Sequence, residues 1–268
     1  MRVRVNGEYL DTNVDSIWKL RDECGYPSEN TVVIKNGYQT SEDVELTEGD
    51  IVSFIKKGVM PDEKQLAELM RARHTPGVYD AVKDARVVIA GLGGLGSNIA
   101  IMLARMGVGH LHLIDFDTVD ASNLNRQQYY IRHLGMYKTD AMKELLGEIN
   151  PFIEVTTDCV KITEENVLSL VEDADVVCEA FDNPAVKAML TEAVLTRTDK
   201  VLVAGSGMAG IDSSNTIKTK KVMNRFYMCG DGVTGAGDGI GLMAPRVTVC
   251  AAHEANMIIR IICGMENV

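Results

Sequence analysis

The most constraining stretch of the chain is residues 85 to 117, ARVVIAGLGGLGSNIAIMLARMGVGHLHLIDFD. Arg86 to Ala90 is a short apolar run rich in β-branched residues, which suits a buried strand of a parallel sheet. It ends in Gly91, Gly93, Gly94 and Gly96, after which Ile99, Leu103 and Met106 recur at helical spacing. A second apolar strand, Leu111 to Ile114, ends in Asp115. Strand, glycine turn, helix, strand and acid make up the nucleotide-binding βαβ unit of about 30 residues. The glycines let the backbone approach a phosphate, which sits on the unpaired N–H groups of a helix start. Asp115 lies about twenty residues beyond the last glycine, where a carboxylate can accept ribose hydroxyls. Glycines serving only close helix–sheet packing are the alternative reading of this turn.

The chain has 268 residues, enough for two domains and a full core. The formal charge of −11 argues against general binding to nucleic acid or to anionic membranes, so clustered cations become informative. No apolar run approaches the roughly 18 residues of a membrane span, and no signal-peptide pattern opens the chain. The expected location is cytoplasmic. Cys24, Cys159, Cys178, Cys229, Cys250 and Cys263 are scattered without a C-x-x-C pair. They support neither a disulfide framework nor a zinc site.

Residues 1 to 58 read as a separate α+β module. MRVRV alternates, Asn6-Gly7 signals a hairpin turn, and a second short strand follows. Asp15 is expected to cap a helix through Ile17, Trp18 and Leu20 that stops at Gly25. Strands Thr31 to Lys35 and Ile51 to Ile55 complete a ββαββ order. That order, with TVVIKNG and LTEGDIVSFI, resembles the β-grasp, ubiquitin-like sulfur carriers of thiamine and molybdopterin synthesis. Those carriers work through a free Gly-Gly carboxylate. Here the matching point reads IKKGVMPDE and runs on, so a docking, regulatory or packing role is expected in place of a carrier role. Residues 59 to 85 form a charged linker and helix bearing Arg71, Arg73 and His74, either a solvated face or an anion clamp.

Beyond Asp115, the polar run Phe116 to Gln128 (FDTVDASNLNRQQ) lies at a strand's C-terminal edge, where open α/β sheets bind ligands. Lys138 begins the next helix, expected over Thr139 to Ile149. A cation there opposes the helix dipole, and is either neutral to stability or held for an anion. Pro151 is expected to start a strand, and Asp175 to Ala180 reads as a buried one. Asp182 follows its end and could also cap the helix that opens at Pro184. Val201 to Ala204 is a further strand, residues 229 to 241 a glycine-rich crossover loop, and Pro245 the start of a final helix.

GLGGLG, IDFDTVDASNLNRQ, Lys138, EAFDN and the MAP before the last helix together resemble the ThiF/MoeB/HesA group, the ubiquitin-activating-enzyme-like adenylyltransferases. The resemblance covers about residues 62 to 264. With the carrier-like module and no paired cysteines, it is nearest the second ThiF subfamily of thiamine synthesis. It implies a Rossmann-like, mostly parallel sheet with helices on both faces over residues 86 to 268. It also implies adenylation, by ATP and Mg2+, of the C-terminal carboxylate of a Gly-Gly-ending sulfur carrier, in a homodimer and without structural zinc. Gly91, Gly93, Gly94 and Gly96 would hold the phosphates, Asp115 and Asp117 would lie at the nucleotide, and Asp182 would hold magnesium. Asn123, Arg126 and Lys138 would contact the phosphates, with Gln127 beside them. Arg71 or Arg73 would reach the γ-phosphate from a partner subunit. Cys229 is the only candidate for a reactive thiol. Three rival readings are a nicotinamide-dependent oxidoreductase, a non-enzymatic member blocked by its own β-grasp module, and an enzyme serving molybdopterin or tRNA modification.

Overall fold

The computed structural model describes residues 1–268. The chain divides into two compact units, Met1–Asp80 and Ala81–Val268.

The N-terminal unit holds β1 (Arg2–Val5), β2 (Glu8–Asp11), α1 (Ile17–Glu23), β3 (Thr31–Lys35), β4 (Tyr38–Thr40), β5 (Ile51–Lys56) and α2 (Glu63–Arg73). The sheet order is β2-β1-β5-β3-β4, with β1 and β5 parallel at its centre and the other pairs antiparallel. Ile17 and Leu20 of α1 pack on Val3, Val33, Val52 and Phe54, which closes a β-grasp core. Two details differ from the expectation. β4 exists although its three residues carry no apolar alternation, because β3 supplies its hydrogen bonds. Helix α1 is not capped by Asp15: its N-cap is Ser16, without a side-chain bond, and the carboxylate that accepts the Trp18 N–H is that of Asp43. Asp15 instead pairs with Lys19.

Helix α2 is the charged segment expected as a linker. A capping box between Asp62 and Gln65 starts it, and it packs on β5 and β4. Its Glu68 is buried and pairs with Arg4 at 3.0 Å and Arg71 at 2.8 Å.

The C-terminal unit holds α3 (Val78–Val82, which begins just before it), β6 (Arg86–Ala90), α4 (Gly94–Met106), β7 (His110–Ile114), α5 (Lys138–Ile149), β8 (Glu154–Asp158), α6 (Val167–Val171), β9 (Val176–Glu179), α7 (Pro184–Arg197), β10 (Val201–Gly205), β11 (Lys218–Met223), β12 (Phe226–Gly230) and α8 (Ala244–Ile262). Seven strands line up as β11-β12-β10-β9-β6-β7-β8, parallel except for β11 against β12. Pro151 lies in a turn, and β8 starts only at Glu154.

Alternation along the strands sorts the helices to two faces. Val88, Ala90, Val177, Leu202 and Ala204 pack with Val167 and Val171 of α6 and Leu190 and Val194 of α7. Ile89 and Cys178 point the other way, to Gly96 of α4 and Glu254 of α8. Small residues on α4 (Gly94, Ser97, Ala100, Ala104) let it lie close along α8, whose Val247, Ala251 and Ile258 are buried. Each large apolar side chain so buried contributes about 1.5–3 kcal/mol. No helix is long and apolar enough to cross a membrane.

Between β9, β10 and α8 the core contains a carboxyl group. Glu254 is 0% exposed, and its oxygens accept only the Cys178 and Cys250 thiols, each at 3.8 Å. Burial above all, and the Glu179 carboxylate, push its pKa well up, against a smaller opposing pull from Lys187. The folded state therefore favours the protonated acid, whereas the unfolded chain ionises near the ordinary value of about 4.3. The stability this group contributes is complete below the unfolded pKa and declines as pH rises toward the folded one. Glu254→Gln should thus melt with wild type near pH 4 and above it near pH 8. Thermal unfolding followed by circular dichroism at the two pH values checks this.

Candidate active site

The site forms where the strand order reverses. β6 pairs with β7 on one side and β9 on the other. The loops after these three strands leave from their C-terminal ends, the place where open α/β sheets take ligands. The glycine turn follows β6, Asp115 follows β7 and Asp182 follows β9.

The turn is fixed from all sides. Gly91, with φ of 96°, donates to Ile114 O at 2.8 Å, and a Cβ on it would stand 3.0 Å from Ala180 O and the Phe181 ring. A Cβ on Gly96 would stand 1.8 Å from Gly91 O, so the first turn of α4 sits directly on the loop. Gly93 is the N-cap of α4, and Gly94 opens the helix against Val247. The turn therefore presents backbone and the positive end of a helix, with no side chain of its own in the way.

Asp115 is 8% exposed, and both its oxygens are engaged: Oδ2 accepts the Leu92 N–H at 2.7 Å and Oδ1 the Asp117 N–H at 2.8 Å. Burial pushes its carboxyl pKa up, opposed by Lys138 and these two N–H groups. It thus braces the glycine turn, and each oxygen has a lone pair left for a hydroxyl. Lys138, 6% exposed, has its Nζ 2.8 Å from Asp117 Oδ2 and 3.8 Å from Asp115 Oδ2. The anion that Lys138 meets at the start of α5 is therefore the Asp115–Asp117 pair.

The polar run beyond β7 folds into a turn of 3₁₀ helix, Ala121–Asn123, closed by reciprocal capping between Asp120 and Asn123. It returns the chain to the start of α4. There the Arg126 Cγ lies 3.5 Å from where a Gly94 Cβ would be. Arg126 Nη1 donates to Asn125 Oδ1 at 2.9 Å and Ser122 O at 3.3 Å, and its buried Nε has no partner. Arg126 makes no ion pair, unlike Lys138. Gln127 is buried beside Gly93, with its Oε1 unpartnered.

Opposite, Asp182 is exposed and the helix cap is not its task. Asn183 Oδ1 accepts the N–H groups of Ala185 at 2.9 Å and Val186 at 3.3 Å, which leaves the Asp182 carboxylate uncommitted.

Two other expected residues take different roles. Cys229 is buried in β12 beside Thr219, and burial with the Glu254 carboxyl pushes its thiol up to about 12. Such a thiol is buried and held in its protonated form, the opposite of the exposed, low-pKa setting of a reactive cysteine. Arg71, in the N-terminal unit, is bound to Glu68 and to Asp80, the latter at 2.8 Å, whereas Arg73 meets only the neutral Gln39 at 2.7 Å.

Several supporting residues carry no local sequence signal. Tyr129 OH donates to Leu92 O at 2.9 Å from a buried position. Asn98 donates to Gly94 O at 2.7 Å and Arg126 O at 3.2 Å, tying the turn to the arginine's backbone. Arg246 pairs with Asp231 at the start of the glycine-rich loop, so this end of the loop is anchored. Burial raises the Asp231 carboxyl, but N–H groups of Thr234 and Val233, the Thr234 hydroxyl and Arg246 outweigh it and bring it down to about 2.

Residues 64–268 match the ThiF family model, three quarters of the chain. The chain belongs to the ThiF family. Residues 1–58 match the ThiS-like ubiquitin model, in agreement with the β-grasp sheet. Among relatives, the adenylyltransferase and sulfurtransferase MOCS3 of Culex quinquefasciatus is 34% identical over 70% of this chain and 44% of its own length. The adenylyltransferase and sulfurtransferase UBA4 of Yarrowia lipolytica is 30% identical over 69% of this chain and 48% of its own. The chain thus spans less than half the length of these two relatives. Among solved structures, E. coli tRNA N6-threonylcarbamoyladenosine dehydratase, TcdA, in complex with AMP has the same fold. It shows a TM-score of 0.68, 22% identity, and coverage of 77% of this chain and 97% of that one. E. coli MccB with AMPCPP and MccA aligns with a TM-score of 0.54 at 25% identity, over 70% of this chain and 58% of that one.

Proposed function

We propose that this ThiF-family chain adenylates the C-terminal glycine carboxylate of a small ubiquitin-like carrier at the expense of ATP. The observation that carries the reading is Arg126, a cation without an ion pair, held over the glycine turn at the positive end of α4 in a protein of formal charge −11.

The residues at the turn suit a nucleotide: Gly93 and Gly94 open α4 with no side chain over the helix start, and the orphaned Arg126 Nε–H, a donor, lies beside Gly94. They also fit magnesium, which is commonly held by one or two carboxylates and by substrate phosphates. Asp182 would provide that carboxylate, and the bound ion would neutralise charge on the departing phosphates.

In the proposed reaction a carrier carboxylate oxygen attacks the α-phosphorus. The bond to the bridging oxygen breaks, pyrophosphate leaves with the electron pair, and an acyl-adenylate remains. The nucleophile is already an anion at neutral pH, so no general base is required. What this chain must supply is positive charge where two anions meet. Arg126 and the start of α4 do so directly, and Lys138 offsets Asp115 and Asp117, which would otherwise repel the nucleotide. Asp115 would take the ribose. Asn123 and Gln127 would line the phosphate path. On α2, Arg73 is the arginine free to reach a triphosphate in a homodimer, since Arg71 is tied to two carboxylates.

The β-grasp module would not be the substrate, because β5 continues through Lys57 and Gly58 into α2. Among carriers, the thiamine type is our first candidate, on the sequence resemblance; molybdopterin-type and tRNA-modification carriers form the second. ATP–pyrophosphate exchange across a panel of Gly-Gly-ending carriers tests the reading. Exchange should require a carrier, and one carrier should be preferred. Carrier-independent exchange, or hydride transfer with a nicotinamide nucleotide in its place, would overturn it.

A further inference from the structure

The backbone that presents Asp182 is held from behind by a single ion pair. Glu179, the last residue of β9, is 1% exposed. Its Oε1 accepts the Phe181 N–H at 2.8 Å and Lys187 Nζ at 2.9 Å, and its Oε2 lies 2.7 Å from the same nitrogen. Lys187, one turn into α7, also donates to the Phe181 carbonyl at 3.1 Å. Both backbone polar groups of Phe181 therefore end on this pair.

On its other side the same segment is pressed to the glycine turn. The Ala180 N–H donates to Ala90 O at 2.9 Å, and the Phe181 ring stands 3.0 Å from where a Gly91 Cβ would be. The chain just before Asp182 is thus clamped between the turn and α7. Because Asn183 caps α7, Asp182 itself is left unbonded at the end of a fixed support. A buried ion pair adds little net stability, because desolvation offsets its attraction. What this one supplies is geometry, two directed bonds on the residue adjoining the carboxylate.

We infer that the Glu179–Lys187 pair is a positioning device that sets Asp182 against the metal-bound phosphates of the nucleotide. The inference rests on reading Asp182 as the magnesium carboxylate.

The test uses the full chain with AMPCPP as a stable nucleotide and Mn2+ as a paramagnetic probe of the metal site. Lys187→Met should weaken Mn2+ retention in the ternary complex about tenfold, the loss expected when support behind a metal-ligating carboxylate is removed. Binding of AMPCPP without divalent metal should change less than about threefold, and Lys187→Arg should restore most Mn2+ affinity. Should Lys187→Met fail to fold, Glu179→Gln replaces it, keeping an acceptor for Phe181 while discharging the pair, with the same expectations. If Asp182→Asn weakens Mn2+ retention but the pair variants do not, the positioning role is overturned alone. Equal loss of metal-free and metal-dependent binding in the pair variants also overturns it. If Asp182→Asn has no effect, the magnesium reading falls and the positioning role with it.

Discussion

Alanine at Arg126 is expected to slow carrier-dependent ATP–pyrophosphate exchange on the order of a hundredfold or more, the usual cost of removing a charge aimed at a developing anion. The aliphatic stem of Arg126 lies beside Gly94 at the first turn of α4, and the guanidinium bonds go to Asn125 Oδ1 and Ser122 O, both neutral acceptors. Its charge is therefore not consumed within the fold, and its removal leaves no buried carboxylate unpaired. Melting temperature should fall by only a few degrees, because the substitution trims a half-buried stem and breaks no ion pair. That separates a loss of chemistry from a loss of structure. Lysine at the same position should recover only part of the rate, because a point charge on a flexible stem cannot reproduce the planar fork. Exchange by Arg126→Ala within about threefold of wild type would sink the proposed mechanism, since Lys138, the other cation beside the turn, already has carboxylate partners.

Gly96→Ala should be strongly destabilising. Its Cβ would lie 1.8 Å from Gly91 O and 2.9 Å from Gly91 C, backbone atoms that cannot swing aside. Gly91 is itself pinned by its bond to Ile114 O, and its own left-handed φ excludes most alternatives. Either α4 retreats from the sheet, losing contacts of Ile99 and Leu103, or the turn opens. We expect a loss of about 3 kcal/mol or more, the upper range for overpacking, seen as a drop of roughly 6–12 °C in melting temperature. Nucleotide binding should fall with it. Gly93→Ala is the control. Its φ is −74° and the nearest outside atom to a Cβ there is Gln127 Nε2, at 3.9 Å, so the loss of stability should be well below that at Gly96. Similar melting of the two variants would mean that the turn is not built as described.

Much of the architecture was legible in the sequence because it rests on local rules. The apolar runs Arg86 to Ala90, Leu111 to Ile114 and Asp175 to Ala180 are short, β-branched and bounded, and each contains a strand of the parallel sheet. The glycine turn marks the start of α4 because only glycine meets its steric demands. Local rules fail where several residues could do one job. Asp182 and Asn183 are both good helix caps, and the choice depends on which of them sits one residue before Pro184 in the extended conformation that directs its oxygen at the open N–H groups. Asp15 looks like the cap of α1, but Asp43, distant in sequence, reaches Trp18 first. Cys229 sits beside a glycine-rich loop, which suggests exposure, yet β11 and α8 cover it.

The sequence by itself determined the central strand–turn–helix–strand unit, its glycine turn and the set of cations and carboxylates that follow it, because each depends on neighbours within a few residues. The tertiary structure alone decided how those charges are shared. It gave Lys138 to Asp117, Arg71 to Glu68 and Asp80, and Lys187 to Glu179, and it left Arg126 and Asp182 uncommitted. The physical reason is that an ion pair depends on distance in space. In a parallel sheet the residues that close that distance stand on different strands and helices, and no pattern along the chain records which ends will meet.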